Sequence, residues 1–319
     1  MSESGSGPAE YTTRHSVEVA ASADHIYEVI ADAQSWPIIF PPTVHVRREP
    51  GPDGTESLDI WATAQDTVKT WRSRRELDAR NHTVTFRQLV SAAPVASMSG
   101  TWRVDSTGDG TSTLTLDHRF SAVGDDPDSV AWIQRALDAN SDAELAAVAA
   151  TAVGRSDGSL VSLAFSDTVA IASPAQPIFD FLYRADLWPE RLPHVSRVAL
   201  SSVDDAQILE MDTVNSAGEA HTTRSYRVVT DRFELAYKQT VVPDGFLAHH
   251  GKWTLEENGD TTVATSHHHV QLDLERLRAR LGATDREDVE QRVRAALGGN
   301  SVATLQAARA FTEAERSLA

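Results

Sequence analysis

The chain has 319 residues, 41% of them hydrophobic and 24% charged, an ordinary globular composition with room for two domains of average size. It contains no cysteine, which excludes disulfides, thiolate nucleophiles and sulfur-ligated zinc or iron–sulfur sites and suits a reducing cytoplasm. A formal charge of −17 argues against a dedicated nucleic-acid binder, because phosphate neutralisation needs a surplus of lysine and arginine.

Residues 1–10 read as a disordered tail that lacks the basic start and apolar run of a signal peptide. No later stretch approaches the roughly 18 consecutive apolar residues of a membrane span. A short strand is expected over Ser16–Ala20, then a helix opened by Ser22 whose Ile26, Val29 and Ile30 make one apolar stripe. After Trp36-Pro37 come the alternating segments LDIWATA, VKTWRSRREL, TVTFRQLV, SGTWRV and STLTLDHRF. Turns such as Gly51-Pro52-Asp53-Gly54 and Gly108-Asp109-Gly110 separate them, so they read as a meandering antiparallel sheet. A long helix over about Asp126–Val153 closes the run.

The series then starts again. HSVEVAASADHIYEVIADAQSWPIIFPP from His15 aligns with DTVAIASPAQPIFDFLYRADLWPERLPH from Asp167, SRRELD from Ser73 with SYRVVT from Ser225, Gly100-Thr101-Trp102 with Gly251-Lys252-Trp253, and ALDANSDAEL from Ala136 with ALGGNSVATL from Ala296. Trp36 to Trp188 and Arg75 to Arg227 are each 152 residues apart, Trp102 to Trp253 is 151 and Asn140 to Asn300 is 160, so extra residues fall before the last helix. Two copies at so long a period mean a duplicated domain and not a solenoid. The expected domains are 11–153 and 161–319, joined by a linker over 154–160. In the second copy a strand is expected at Thr168–Ala172, a helix with Ser173 as its cap and Pro174 at its first position, and a closing helix over about Asp285–Ser317. The order β, α, many β, long α predicts an α+β fold in which each curved antiparallel sheet wraps its last helix.

Trp-Pro after the first helix, Ser-x-Arg in a central strand, Gly-x-Trp two strands later and Asn-Ser in the closing helix, all in this order, resemble the helix-grip (START/Bet v 1-like) superfamily. Within it, the chain resembles the di-domain aromatase/cyclases of bacterial aromatic (type II) polyketide pathways. No one of these motifs is specific, but the ordered set occurring twice is, and it runs from about Tyr11 to the last helix. The resemblance implies an internal cavity beneath each long helix and a chain delivered by an acyl carrier protein, alongside other polyketide synthase components. It further implies regiospecific first-ring closure and dehydration of a ketoreduced poly-β-ketone. The same fold also hosts lipid and hormone carriers, so a non-catalytic carrier of a hydrophobic small molecule is the competing function.

Strand alternation puts Trp71, Ser73, Arg75 and Leu77 on one face, and with Trp71 and Leu77 inward, Arg75 enters the cavity; Ser225 and Arg227 follow by the repeat. A buried arginine must meet a carboxylate, backbone carbonyls or a ligand oxyanion. Each is therefore a group that stabilises enolate and aldol oxyanions, half of an internal ion pair, or a surface arginine one register step away, and the resemblance points to the first, for Arg75 in particular. His118 shares a face with Leu114, Leu116 and Phe120, and His268 corresponds to it. Each is either a proton-transfer group titrating near neutrality or a hydrogen-bonded core residue. Val130, Ile133, Leu137, Asn140 and Val148 form a helical stripe, as do Val293, Leu297, Asn300, Ala307 and Phe311, so Asn140 and Asn300 are expected to face the sheet. Trp36, Trp102, Trp188 and Trp253 are expected to wall the core or pocket. His267 and His269 lack a third zinc ligand, and nucleotide loops, nucleophile elbows and His-Glu-x-x-His are absent, so neither metal nor cofactor is expected. Arg276, Arg278, Arg280, Arg292 and Arg294 form the densest basic cluster, either a dock for an acidic carrier protein or a solvated helix face.

Overall fold

The alternating segments pair edge to edge in the computed structural model, which describes residues 9–64, 67–214 and 220–318. Most of the expected tail lies outside these residues. The first copy runs β1 (Tyr11–Val19), α1 (Ala23–Ala31), α2 (Trp36–Ile39), β2 (Thr43–Pro50), β3 (Thr55–Ala64), β4 (Thr67–Asp78), β5 (Thr83–Gln88), β6 (Val95–Gly108), β7 (Thr111–Ala122) and α3 (Pro127–Ser156). The second runs β8 (Leu160–Ile171), α4 (Ala175–Tyr183), α5 (Trp188–Arg191), β9 (Val195–Val203), β10 (Ala206–Val214), β11 (Ala220–Asp231), β12 (Glu234–Val241), β13 (Phe246–Asn258) and β14 (Thr261–Asp273), then α6 (Leu274–Leu281) and α7 (Arg286–Leu318). Each copy makes one seven-stranded sheet, ordered β1-β7-β6-β5-β4-β3-β2 and β8-β14-β13-β12-β11-β10-β9. The first strand lies antiparallel to the last, Tyr11 opposite Phe120 and Leu160 opposite Asp273. Register shifts at Val95/Ser97 and Phe246/Ala248 bend the long hairpins. This is the α+β architecture expected, and α6 accounts for the extra residues of the second copy.

α1 forms where Ser22 Oγ accepts the His25 N–H at 3.3 Å, and its Ile26, Val29 and Ile30 are almost wholly buried. Each such side chain contributes about 1.5–3 kcal/mol of burial. The expected serine cap of α4 is not formed. Pro174 occupies the cap position, and Glu257 at the end of β13 accepts the Ala175 N–H at 3.0 Å, a carboxylate at the positive end of the helix. Asp126 caps α3 by accepting the Ser129 N–H at 2.9 Å. The helix continues through Ser156, which leaves only 157–159 before β8, and the two compact units part between Gly158 and Ser159.

In the first unit α3 packs on β1, β7 and α1, and in the second α7 packs on β8, β14, α4 and α6. The arginines of the basic cluster are locally paired: Arg276 with Asp244 at 2.8 Å, Arg292 with Asp288 at 2.6 Å and Arg294 with Asp167 at 3.0 Å. Exposed ion pairs thus offset part of the charge of this helix face. Among the described residues no helix is long and apolar enough to cross a membrane.

Candidate active site

Strand register assembles the site. Arg75, Phe86, Gly100 and His118 stand opposite one another across β4, β5, β6 and β7. In the second copy the same row reads Gln207, Arg227, Tyr237, Gly251, His268 and Phe165. Directly opposed residues share a face, so arginine and histidine both point inward. Three inter-strand steps of about 4.8 Å set them roughly 14 Å apart, far enough to touch different parts of one elongated molecule. The glycine between them is required, because a Cβ on Gly100 would collide with the Phe86 ring and one on Gly251 with the Tyr237 ring. Gly251→Ala is expected to displace Tyr237 and lower stability by about 1–3 kcal/mol in thermal unfolding. An unchanged melting temperature would show instead that the ring can swing aside.

Arg75 is fully buried and ion-paired with Glu56, whose carboxylate also holds Arg48. It donates to the carbonyl oxygens of Ile30, at 3.0 Å, and Ala31, and lies 5.0 Å over the Trp36 ring. Those carbonyls end α1 and have no partner within the helix. The internal ion pair is therefore realised at Arg75, and Glu56 neutralises its charge. Arg227 keeps the carbonyl contacts, to Leu182 and at 3.3 Å to Tyr183, and lies 5.3 Å over Trp188. Opposite it, however, stands Gln207, whose Oε1 accepts at 2.9 Å, and no carboxylate among the described residues bonds to it. Burial pushes this guanidinium down to about 10, with Tyr183, Tyr237 and Asp186 opposing part of the shift. It is a cation at neutral pH, held by carbonyl and amide oxygens.

The histidines do not titrate near neutrality. Burial lowers both His118 and His268 to about 4, so each is a neutral imidazole. His118 packs edge-on against Phe86, and its Nδ1 has no hydrogen-bond partner. His268 is occupied on both nitrogens: Nδ1 meets His249 Nε2 at 3.0 Å, and Nε2 meets Ser301 Oγ at 2.8 Å and Ser266 Oγ at 3.1 Å. His267 and His269 turn to the other face, onto Thr254 and Ser162. Among the described residues no cluster of three or more His, Asp or Glu could hold a metal.

The helix stripe requires a correction. Asn140 is exposed and Asn300 is exposed at the cavity edge; the buried residues are the serines that follow, Ser141 and Ser301. At 100° per residue Asn140 lies 60° to one side of Leu137 and Ser141 40° to the other, and it is the serine side that packs on the sheet. The true stripe runs through Ile133, Ser141, Leu145 and Val148. Glu144 stands on its border, half-buried by area yet enclosed by protein, and burial alone pushes its carboxyl up to about 7. A cavity in the second copy brings together Trp188, Ser225, Arg227, Trp253, His268 and Asn300. Tyr237, His249, Ser301 and Thr304 also line it and were not singled out from sequence. In the first copy Ser73 and Trp102 are buried, and Trp36 and Trp71 pack on Ala33, Val46, Leu58 and Ile60. Trp36 and Trp188 each donate their Nε1–H at 3.1 Å, to the carbonyls of Ile30 and Phe181, so the Trp-Pro motif pins the end of the first helix.

These shifts predict unequal acid sensitivity. A histidine whose folded pKa lies below its unfolded value contributes stability that is complete above about 6.5 and is lost as pH falls toward 4. Glu144 is shifted upward, so its contribution grows as pH falls below about 7 and offsets the loss at His118. Among the described residues no such carboxyl lines the C-terminal cavity. From pH 7 to pH 5 the second domain should lose at least about 2 kcal/mol, because burial lowers His249 as well as His268, and the first less, read by hydrogen exchange corrected for the intrinsic rate. Equal losses would contradict the assignment.

The family described as polyketide cyclase/dehydrase and lipid transport matches residues 11–153 and, in a second form, 171–297. The chain is 40% identical over 303 residues to the granaticin polyketide synthase bifunctional cyclase/dehydratase of Streptomyces violaceoruber, covering 94% of this chain and 93% of that one. It is 40% identical over 318 residues to the actinorhodin polyketide synthase bifunctional cyclase/dehydratase of Streptomyces coelicolor, covering 96% and 98%. Among solved structures, the di-domain ARO/CYC BexL of the BE-7585A biosynthetic pathway superposes with a TM-score of 0.82 at 42% identity, over 95% of this chain and 99% of that one. StfQ, the di-domain ARO/CYC of the steffimycin pathway, gives 0.81 at 28% identity, over 96% and 100%. Matched at both repeats and over its length, the chain belongs to the polyketide cyclase/dehydrase family and is an aromatase/cyclase of the di-domain kind.

Proposed function

We propose that the two repeats, joined through the short segment 157–159, are separate pocketed domains. Together they close and dehydrate the first ring of a ketoreduced poly-β-ketone in the cytoplasm, presented by an acyl carrier protein beside other polyketide synthase components. The supporting observation is the C-terminal cavity, with Arg227 at one end of its floor, His268 at the other and Trp188 and Trp253 in its walls. Methylenes between carbonyls are acidic, so ring closure needs a folded chain and a place for the enolate and aldol oxyanions. Arg227, always charged at neutral pH and free of a bound carboxylate, supplies that place. Ser225 and Asn300 orient carbonyl oxygens, His268, held by His249, Ser266 and Ser301, fixes the far end of the floor, and the tryptophans exclude water. In the first copy Arg75 orients the end of α1, and His118, with Trp36, Trp71, Ser73 and Trp102, shapes the pocket.

The test is reconstitution of the full chain with a minimal polyketide synthase and its ketoreductase. Mass spectrometry should show spontaneous shunt products giving way to one with an aromatic first ring, lighter by the lost water. A product profile identical with and without the protein overturns the reading.

A further inference from the structure

The two interiors, built on the same row of residues, are chemically different. In the C-terminal cavity the polar groups around the histidine are engaged: His268 is held by His249, Ser266 and Ser301, and Thr304 Oγ1 donates to the Asn300 carbonyl at 3.0 Å. In the N-terminal domain the equivalents are unengaged. Ser141 Oγ, aligned with Ser301, is buried with no partner, and so is His118 Nδ1. Phe86 and Met98 replace Tyr237 and His249, so no neighbouring side chain can engage His118 as His249 engages His268. Glu144 aligns with Thr304, a cavity-lining position one helical turn beyond the serine. No charge or hydrogen bond from the described residues accounts for its carboxyl, which burial alone perturbs. A structural carboxylate in such a place would be paired, as Glu56 is.

We propose that Glu144 is the proton-transfer residue of the N-terminal pocket, and that dehydration takes place there while ring closure belongs to the C-terminal pocket. The inference rests on the cyclisation and dehydration reading above. The step balances on one residue. The Glu144 carboxylate takes the proton α to the ring carbonyl, and the C–H electron pair forms an enolate whose oxygen the imidazole N–H of His118 and the hydroxyl of Ser141 can hold. The enolate collapses to a carbon–carbon double bond as the β carbon–oxygen bond breaks. Glu144, now a carboxylic acid, returns the same proton to the departing hydroxyl, and water leaves with the carboxylate restored. A carboxyl that titrates near working pH suits both halves of this exchange, and neutral His118 is too weak a base for the first.

The test uses the full chain carrying Glu144→Gln in the same reconstitution. The ring should close in the wild-type register, but the product should retain its hydroxyl and weigh one water more, with dehydration slowed about a hundredfold or more. Glu144→Asp, which keeps the carboxylate one methylene back, should recover part of that rate. The unfolding midpoint of the glutamine variant is measured alongside and should not fall, because glutamine keeps the volume and carries no charge to bury. Should that variant fail to fold, Glu144→Asp decides alone: slower dehydration with unslowed ring closure supports the proposal, and unslowed dehydration overturns it. Wild-type product from folded Glu144→Gln overturns it, and so does a return of misclosed shunt products, which would place Glu144 in ring closure. If the wild-type protein leaves the product profile unchanged, it is the functional reading that has failed.

Discussion

Glu56→Ala is expected to destabilise the N-terminal domain by about 3–5 kcal/mol, the cost of leaving one partner of a buried ion pair without the other. Both side chains are 1% exposed, so solvent cannot take over the solvation of Arg75 once the carboxylate is gone. The two α1 carbonyls that remain are neutral acceptors and offset only part of the charge. Glu56→Gln should cost markedly less, because it recreates the arrangement found at Gln207 and Arg227. Urea unfolding followed with hydrogen exchange in the first domain measures both. If the alanine variant unfolds at the wild-type denaturant concentration, Arg75 is held by its carbonyls alone and the ion pair contributes nothing.

Arg227→Met should slow ring closure by about 10²–10³-fold, the usual cost of removing one preorganised donor from a developing oxyanion, and should return the product profile toward spontaneous shunts. Methionine preserves apolar bulk over Trp188, so the loss is one of charge more than of packing. A second variant separates the two. Gln207→Glu keeps the guanidinium and sets a carboxylate against it, copying Glu56 beside Arg75. Stability should hold or rise while ring closure falls. Closure at the wild-type rate in Gln207→Glu would show that the free charge of Arg227 is not used.

Much of this architecture was legible in the chain, because duplication and alternation are local. Ile26, Val29 and Ile30 are buried as their spacing requires, and Leu114, Leu116, His118 and Phe120 share the inner face that strict alternation assigns them. The helical stripe was less legible. Periods of three and four both fit a short window, and Asn140 was placed inward where Ser141 stands. Glu56 alternates with Leu58 and Ile60 on the inner face of β3, a signal that could have identified the partner of Arg75. Glu144 follows Ser141 by three residues on the same helix face, which could likewise have marked it.

Sequence by itself determined the duplication, the α+β order of elements and the inward arginine and histidine of each copy, since these depend on spacing along the chain. Only the tertiary structure decided what each inward group is free to do. Whether a guanidinium is neutralised depends on the residue one strand away, Glu56 in one copy and Gln207 in the other. Whether an imidazole is engaged depends on strands and helices far apart in sequence, as His249 and Ser301 are from His268. Desolvation is likewise a property of everything packed around a group, which is why two histidines expected to titrate near neutrality sit at about 4 and an unremarked glutamate at about 7.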